Sequence, residues 1–188
     1  MQTGKEDRRV RRTKTLLLQG LIHLMETKEI KDISVKELSD YIDINRGTFY
    51  LHYNDIYDML SQIEDQLFVE FNDILDRTLT CESAVLSPQQ TLQDIFSFLD
   101  RHRNLAKAMM GPHGDLAFVN RLKDLVKQRI YSILKQRQSA CDYAYIEAFI
   151  VSGCIGVIDT WLKQPSPRSP EEMATLCSTM LNKGIQLL

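Results

Sequence analysis

Apolar positions along this chain recur mostly at intervals of three and four, the spacing that gathers them on one face of a helix. Leu17, Leu21, Leu24 and Met25 share such a face and predict a first helix over residues 8–27. Residues 28–32 are polar and read as a loop. Ser34 followed three positions on by Glu37 has the form of a capping box, which predicts a helix start. Val35, Leu38 and Ile42 give that short helix its buried stripe. It ends at Asp43, a residue that tolerates left-handed backbone. Asn45 predicts the cap of a second short helix over residues 46–52, and Asn54 or Asp55 the cap of a long one. In the long helix Ile56, Met59, Leu60, Ile63, Leu67, Phe71, Ile74 and Leu75 hold one face for five turns.

Residues 80–87 read as a loop, after which the helical pattern resumes. Ser87-Pro88-Gln89-Gln90 suggests a cap followed by proline at the first helical position, with Leu92, Ile95, Phe96 and Leu99 as the stripe. A short helix over 104–110 is stopped by Gly111-Pro112. Longer ones follow over 115–138 and 142–163, and Ser169-Pro170-Glu171-Glu172 opens the last. The expected class is all-α, with about nine helices and no strand. The order of lengths divides the chain into a first domain over 1–54, a linking helix over 55–76 and a larger helical domain over 77–188.

Composition narrows the classes further. The 188 residues are 44% hydrophobic and 26% charged, the balance of a folded globular chain. Only eight glycines and five prolines interrupt it, which favours long helices. The formal net charge is −2, so total charge does not point to nucleic acid. Its distribution does: Lys5, Arg8, Arg9, Arg11, Arg12 and Lys14 crowd the start against Glu6 and Asp7. Such an arm either neutralises phosphates or is simply solvated. The most apolar run, 149–158, is short of the ~20 residues of a spanning helix, and no cleavable leader pattern is recognised at the start. Cys81, Cys141, Cys154 and Cys177 form no CxxC pair and read as reduced thiols of a cytoplasmic protein. His23, His52, His102 and His113 lack ligand spacing, so neither a metal nor a cofactor is expected. No nucleophile–base pair or phosphate-cradling glycine loop stands at motif spacing, which argues against an enzyme.

Two short helices joined by a tight turn between longer helices form a helix-turn-helix, whose second helix is the right width for the major groove. Within the second short helix Phe49 and Tyr53 lie four apart and are expected to point inward. Arg46, Thr48, Tyr50 and His52 are then left facing largely outward. From Ile33 to Tyr53 the sequence reads ISVKELSDYIDINRGTFYLHY. This run resembles the TetR family of bacterial transcriptional regulators, with a hydroxyl residue and valine before a short helix, a turn, a small cap and an aromatic-rich second helix. The resemblance covers roughly residues 8–70.

The resemblance implies a DNA-binding head in which Ser34 bonds a backbone phosphate, with Lys36 assisting. It places Arg46, Gly47 and Thr48 at base edges or the groove floor, and Tyr50 and His52 at phosphates. Arg11 and Lys14 would add phosphate or minor-groove contacts. Two departures stand out. Asp43 occupies a turn position often held by glycine, and Ile56 a position often held by lysine. Across residues 26–60 four cations face eight acids, 4 − 8 = −4.

The second half of the family fold dimerises and often houses an effector. Ala144, Ala148, Ser152, Gly156 and Thr160 recur every four residues and form a ridge of small side chains. Such a ridge either builds a two-fold interface or packs closely within one subunit. Phe96, His102, Met109, His113, Phe118, Tyr145, Phe149 and Trp161, with Phe98 and Met110, either line an apolar effector pocket or are plain core. The expected function is that of a homodimeric regulator of a near-palindromic double-stranded operator, most simply a repressor released by an apolar small molecule. The alternative is a regulatory adaptor on the same fold, acting through a protein partner.

Overall fold

A computed structural model of the chain describes residues 8–134 and 143–185. Lys5, Glu6 and Asp7 of the basic arm, together with Cys141 and Asp142, lie outside the described residues, as does the side chain of Ala144. Ten α-helices and a 3-10 turn, Ile30–Asp32, make up the fold, with no strand among the described residues. Two compact units result: Met1–Asp65 with Gly111–Gly114, and Gln66–Met110 with Asp115–Leu188.

The first unit holds α1 (Arg8–Met25), α2 (Val35–Tyr41), α3 (Arg46–Tyr50) and the first ten residues of α4 (Ile56–Thr78). Leu17, Leu21, Leu24 and Met25 are buried as their spacing predicts, and Leu38 and Phe49 are fully buried. Gly20 lets α1 and α2 approach closely. A methyl group there would lie 2.5 Å from Ile42 Cγ2 and 2.8 Å from Leu38 Cδ1.

Local caps define each short helix. The Ser34 hydroxyl accepts from the Glu37 backbone N–H at 3.1 Å, but Glu37 pairs with Lys28 instead of reaching back, so the expected capping box is half made. Asp43 takes φ 54, in the left-handed region the turn requires. Asn45 Oδ1 accepts from the Gly47 N–H at 2.7 Å. Asp55, rather than Asn54, caps α4, accepting from the Asp58 N–H at 2.8 Å. The Asp58 carboxylate accepts in return from the Asn54 N–H at 2.7 Å, and that bond is the main reason its pKa lies below the usual range.

The rest of α4 belongs to the second unit with α5 (Glu82–Leu86), α6 (Gln89–Arg101), α7 (Arg103–Met110), α8 (Leu116–Leu134), α9 (Tyr143–Lys163) and α10 (Pro170–Ile185). The division thus falls inside α4 instead of at residues 54 and 77. The buried residues of α4 split accordingly, with Ile56, Met59 and Leu60 in the first unit and Leu67, Phe71, Ile74 and Leu75 in the second. One-turn α5 occupies the segment expected to be a loop; five residues are too few for periodicity to register. Pro88, not Ser87, stands at the N-cap of α6, and no side chain caps it. Side chains cap the starts of two later helices. Asp115 Oδ1 accepts from the Ala117 and Phe118 N–H groups, and Ser169 and Glu172 bond reciprocally at 2.8 and 3.2 Å.

Helix α10 packs along α6, and α9 against α7, α8 and α10. Phe96 meets Trp161 edge-on at 5.2 Å, the Arg103 guanidinium lies 3.9 Å above the indole, and the indole N–H donates to the Arg168 carbonyl at 2.8 Å. The apolar run expected over 149–158 is longer in the structure. Tyr145–Lys163 is long and apolar enough to cross a membrane by length and composition. It packs against α7, α8 and α10 on one side only, and 22% of the stretch is buried.

Candidate nucleic-acid interface and effector cavity

The outward surface of α3 follows from how few residues hold it. Phe49 is fully buried and Tyr53 nearly so, with ring centroids 5.7 Å apart. Fixing these two on one side leaves Arg46, Gly47 and Tyr50 exposed, and Thr48 and His52 half-buried. Tyr50 stands with 58% of its surface accessible, its ring edge-on to Phe49 at 5.5 Å. Arg46 forms no ion pair among the described residues, nor do Lys36 and Arg11. A guanidinium without a carboxylate partner, exposed at the N-terminus of a short helix, is available to a hydrogen-bond acceptor or an anion.

Ser34 is exposed at the start of α2. As an acceptor toward Glu37 it keeps its O–H free to donate, so capping the helix and holding a phosphate oxygen are compatible. Gly47 fits closely under the cap: a Cβ would lie 3.1 Å from Asn45 Oδ1, the atom that caps the helix, which would have to give by a few tenths of an ångström. In α1, Arg8, Arg9, Arg11, Arg12 and Lys14 occupy the first two turns with no acid in the first. Cations at a helix N-terminus oppose its dipole, an arrangement that an external anion relieves.

Pairing within residues 26–60 leaves their acidic surplus unchanged. Lys28 pairs with Glu37 and Lys31 with Glu29, leaving Lys36 and Arg46 as the cations facing outward. Ile56, where a lysine was the comparison, is core at 4% exposure. Three exposed aromatic or apolar residues escaped the sequence reading. Leu51 is 79% exposed beside α3, Tyr57 is 56% exposed at the start of α4, and Tyr41 stacks on His23 at 4.6 Å. A short helix next to a cap gives no periodic signal that would assign their faces.

The second unit encloses a cavity of about 180 Å³. Leu67, Phe71 and Leu75 of α4 form one wall, Leu92, Ile95 and Phe98 of α6 another, and Ile150, Cys154 and Ile158 of α9 a third. His102, Met109 and Phe118, among the residues singled out from sequence, do line it, with Phe98 and Met110. The others do not. Phe96 and Trp161 are packed against each other, Tyr145 and Phe149 are 76% and 57% exposed, and His113 falls in the segment grouped with the first unit. Half of the residues singled out from sequence line the wall, but its Leu, Ile and Val majority is indistinguishable from core in sequence. Burial pushes the Cys154 thiol up to about 12, with Cys177 adding to it, so it stays protonated; part of its remaining surface is the cavity wall.

At the edge of this unit Glu70 binds both the Arg101 guanidinium and His102 Nε2, the latter at 2.9 Å. Burial raises the Glu70 pKa, but the bonds from Arg101 and His102 outweigh it and leave it lowered. The small-residue ridge of α9 faces outward: Ala148, Ser152, Gly156 and Thr160 are exposed. So are Tyr145, Phe149, Leu176 and Met180, and a Cβ on Gly153 or Gly156 would meet nothing within 4 Å.

A family model described as a transcriptional regulator C-terminal region, TetR_C_8, matches residues 87–183. An HTH-type transcriptional regulator of Bacillus subtilis strain 168, YxbF, is 27% identical over 94 residues, covering 49% of this chain and 25% of that protein. The match therefore spans about a quarter of the curated relative's length. Among solved structures, a TetR transcriptional regulator from Streptococcus agalactiae superposes with a TM-score of 0.58 at 19% identity, covering 94% of this chain and 97% of that one. The fatty acid degradation regulator FadR from Bacillus halodurans superposes with a TM-score of 0.67 at 12% identity, covering 99% of each chain. Likeness at these identities concerns the fold.

Proposed function

Because this chain belongs to the TetR family of transcriptional regulators, we propose that it is a homodimeric, sequence-specific DNA-binding regulator, a repressor released by a small apolar effector. The observation that carries the proposal is α3: a helix anchored by Phe49, with Tyr53 packed beside it, presenting unpaired Arg46 and exposed Tyr50 outward. Arg46, Gly47 and Thr48 read base edges. Ser34, Lys36, Tyr50 and His52 hold phosphates, and Arg11 and Lys14 extend the contact along the backbone. A regulator of this kind works in the cytoplasm, where the DNA is.

The exposed faces of α9 and α10 support pairing of two copies. The Thr160 hydroxyl donates to the Gly156 carbonyl at 2.8 Å within its own helix, so the ridge can be buried with that polar atom satisfied. Two α9–α10 pairs would close a four-helix interface about a two-fold axis. Two-fold symmetry requires a near-palindromic site, with half-sites ~34–36 Å apart or somewhat more. Helix α4 starts in the first unit and lines the cavity in the second. An effector that binds one position of α4 better than another shifts that equilibrium by its differential affinity and no more.

Selection of genomic fragments by the purified protein, followed by anisotropy titration across salt, tests this reading. The expected result is a short near-palindrome bound by a dimer, with affinity falling steeply as salt rises. Arg46→Ala should cost ~1–3 kcal/mol of binding and relax specificity at one base pair. Recovery of no fragment by folded dimeric protein would overturn the reading and leave the adaptor function, acting through a protein partner. Phe149→Asp should yield monomers in sedimentation; a dimer unchanged by it would remove the α9–α10 interface.

A further inference from the structure

The wall of the cavity in the second unit is almost wholly apolar, and the hydrocarbon stem of one charged side chain lies along it. Lys123, on α8, lines the wall and is half-buried. Its cationic neighbours on α8 are all engaged. The Arg121 guanidinium lies 4.1 Å above the Phe68 ring, Lys127 pairs with Asp124 at 3.7 Å, and Arg129 pairs with Asp76 and reaches Asn72. Lys123 has no carboxylate partner among the described residues, and no Asp or Glu lines the cavity.

Of the remaining polar groups of the wall, Thr91, His102 and Cys154, none brings a carboxylate to that ammonium. His102 Nε2 is bound to Glu70, and the Cys154 thiol is held protonated by its burial. A cation beside an apolar hollow, with no acid in the wall, is complemented by a ligand that brings its own anion. Size limits the apolar part. At about 180 Å³ the cavity slightly exceeds the ~150 Å³ engineered hollow that stays dry and binds benzene. One ring or a medium alkyl chain fits.

We propose that the effector is a small apolar carboxylate, its hydrocarbon body in the cavity and its carboxylate on the Lys123 ammonium. The proposal rests on the reading of this cavity as the effector site and adds the chemical class and the anchoring residue. Lys123 thus sets specificity: it distinguishes an acid from the alcohol or amine of the same length.

Calorimetric titration of the full chain with octanoate, octan-1-ol and octylamine tests it. Wild-type protein should bind octanoate at least tenfold more tightly than octan-1-ol, and octylamine weakest. Lys123→Met should lose about ten- to a hundredfold in octanoate affinity while retaining octan-1-ol, the loss expected for one charge-assisted contact. Lys123→Gln, polar and unchanged in fold by circular dichroism, should do the same. Equal binding of octanoate and octan-1-ol by wild type, or an octanoate preference that survives both substitutions, overturns the carboxylate while leaving the cavity as the effector site. Failure of all three probes to bind wild-type protein overturns both readings together.

Discussion

The two units solve opposite packing problems. In the first, α1 and α2 approach so closely that the added methyl of an alanine at Gly20 would sit 2.5 Å from Ile42, and each short helix is pinned by a side chain one to three residues away. In the second, six longer helices and one-turn α5 surround about 180 Å³ that no side chain fills. A surface that must match a groove needs side chains fixed in position, and close packing provides that. A body that must answer a ligand needs unfilled space whose walls can close on it. Tight packing thus holds the surface proposed to read DNA, and hollow packing surrounds the cavity proposed to take an effector.

The largest effect should come from Phe49→Ala, which removes the single full anchor of α3 at a cost of about 3–5 kcal/mol. Hydrogen exchange should show protection lost in α1–α3 and kept in α6–α10. Uniform loss in both units would show that they unfold as one. Gly20→Val comes next, costing about 1–3 kcal/mol by overpacking α1 against α2. A thermal midpoint unchanged by that substitution would mean that the first unit is looser than its geometry.

Val151→Phe is the counterpart in the second unit. Val151 is buried and lines the cavity, so the added ring has space to enter. Where the valine at Gly20 destabilises, this one should stabilise by about 0.5–2 kcal/mol and abolish octanoate binding. A lower melting temperature would show that the hollow does not admit the ring.

The smallest effect concerns Glu70. A carboxyl whose pKa is lowered on folding stabilises the fold above its usual value of 4.5, and that contribution is lost as pH falls through the lower folded value. Glu70→Gln should flatten the acid limb of the stability profile, read by denaturant titration between neutral and acid pH, with little change in shape elsewhere. An acid limb identical to wild type would show that the contacts with Arg101 and His102 contribute nothing measurable.

The first unit was the more legible in sequence, for a physical reason. Caps act over two to four residues, so Ser34, Asn45 and Asp55 announce helix starts without knowledge of the fold, and Asp43 marks the turn by its tolerance of positive φ. Where a cap has rivals the inference slips: Glu37 went to Lys28, and Pro88 displaced Ser87. The cavity was read poorly because emptiness is not a property of any residue. Phe96 and Phe118 look alike in sequence, yet one packs on Trp161 and the other faces the hollow. Lys123 gave no signal either, since an unpaired lysine on a helix is ordinarily solvated. Its meaning depends on neighbours brought together from α4, α6 and α9.

The slight attachment of α3 has an evolutionary corollary. Phe49 and the Asn45 cap hold the helix in place, while Arg46 and Tyr50 make no hydrogen bond that the fold depends on. The residues proposed to read DNA can then be exchanged almost independently of residues that keep the protein folded. A library randomised at positions 46, 48, 50 and 52 should consist largely of folded proteins with altered operator preferences. A lineage built on this scaffold can move to new promoters by a few substitutions, without first gathering stabilising changes elsewhere.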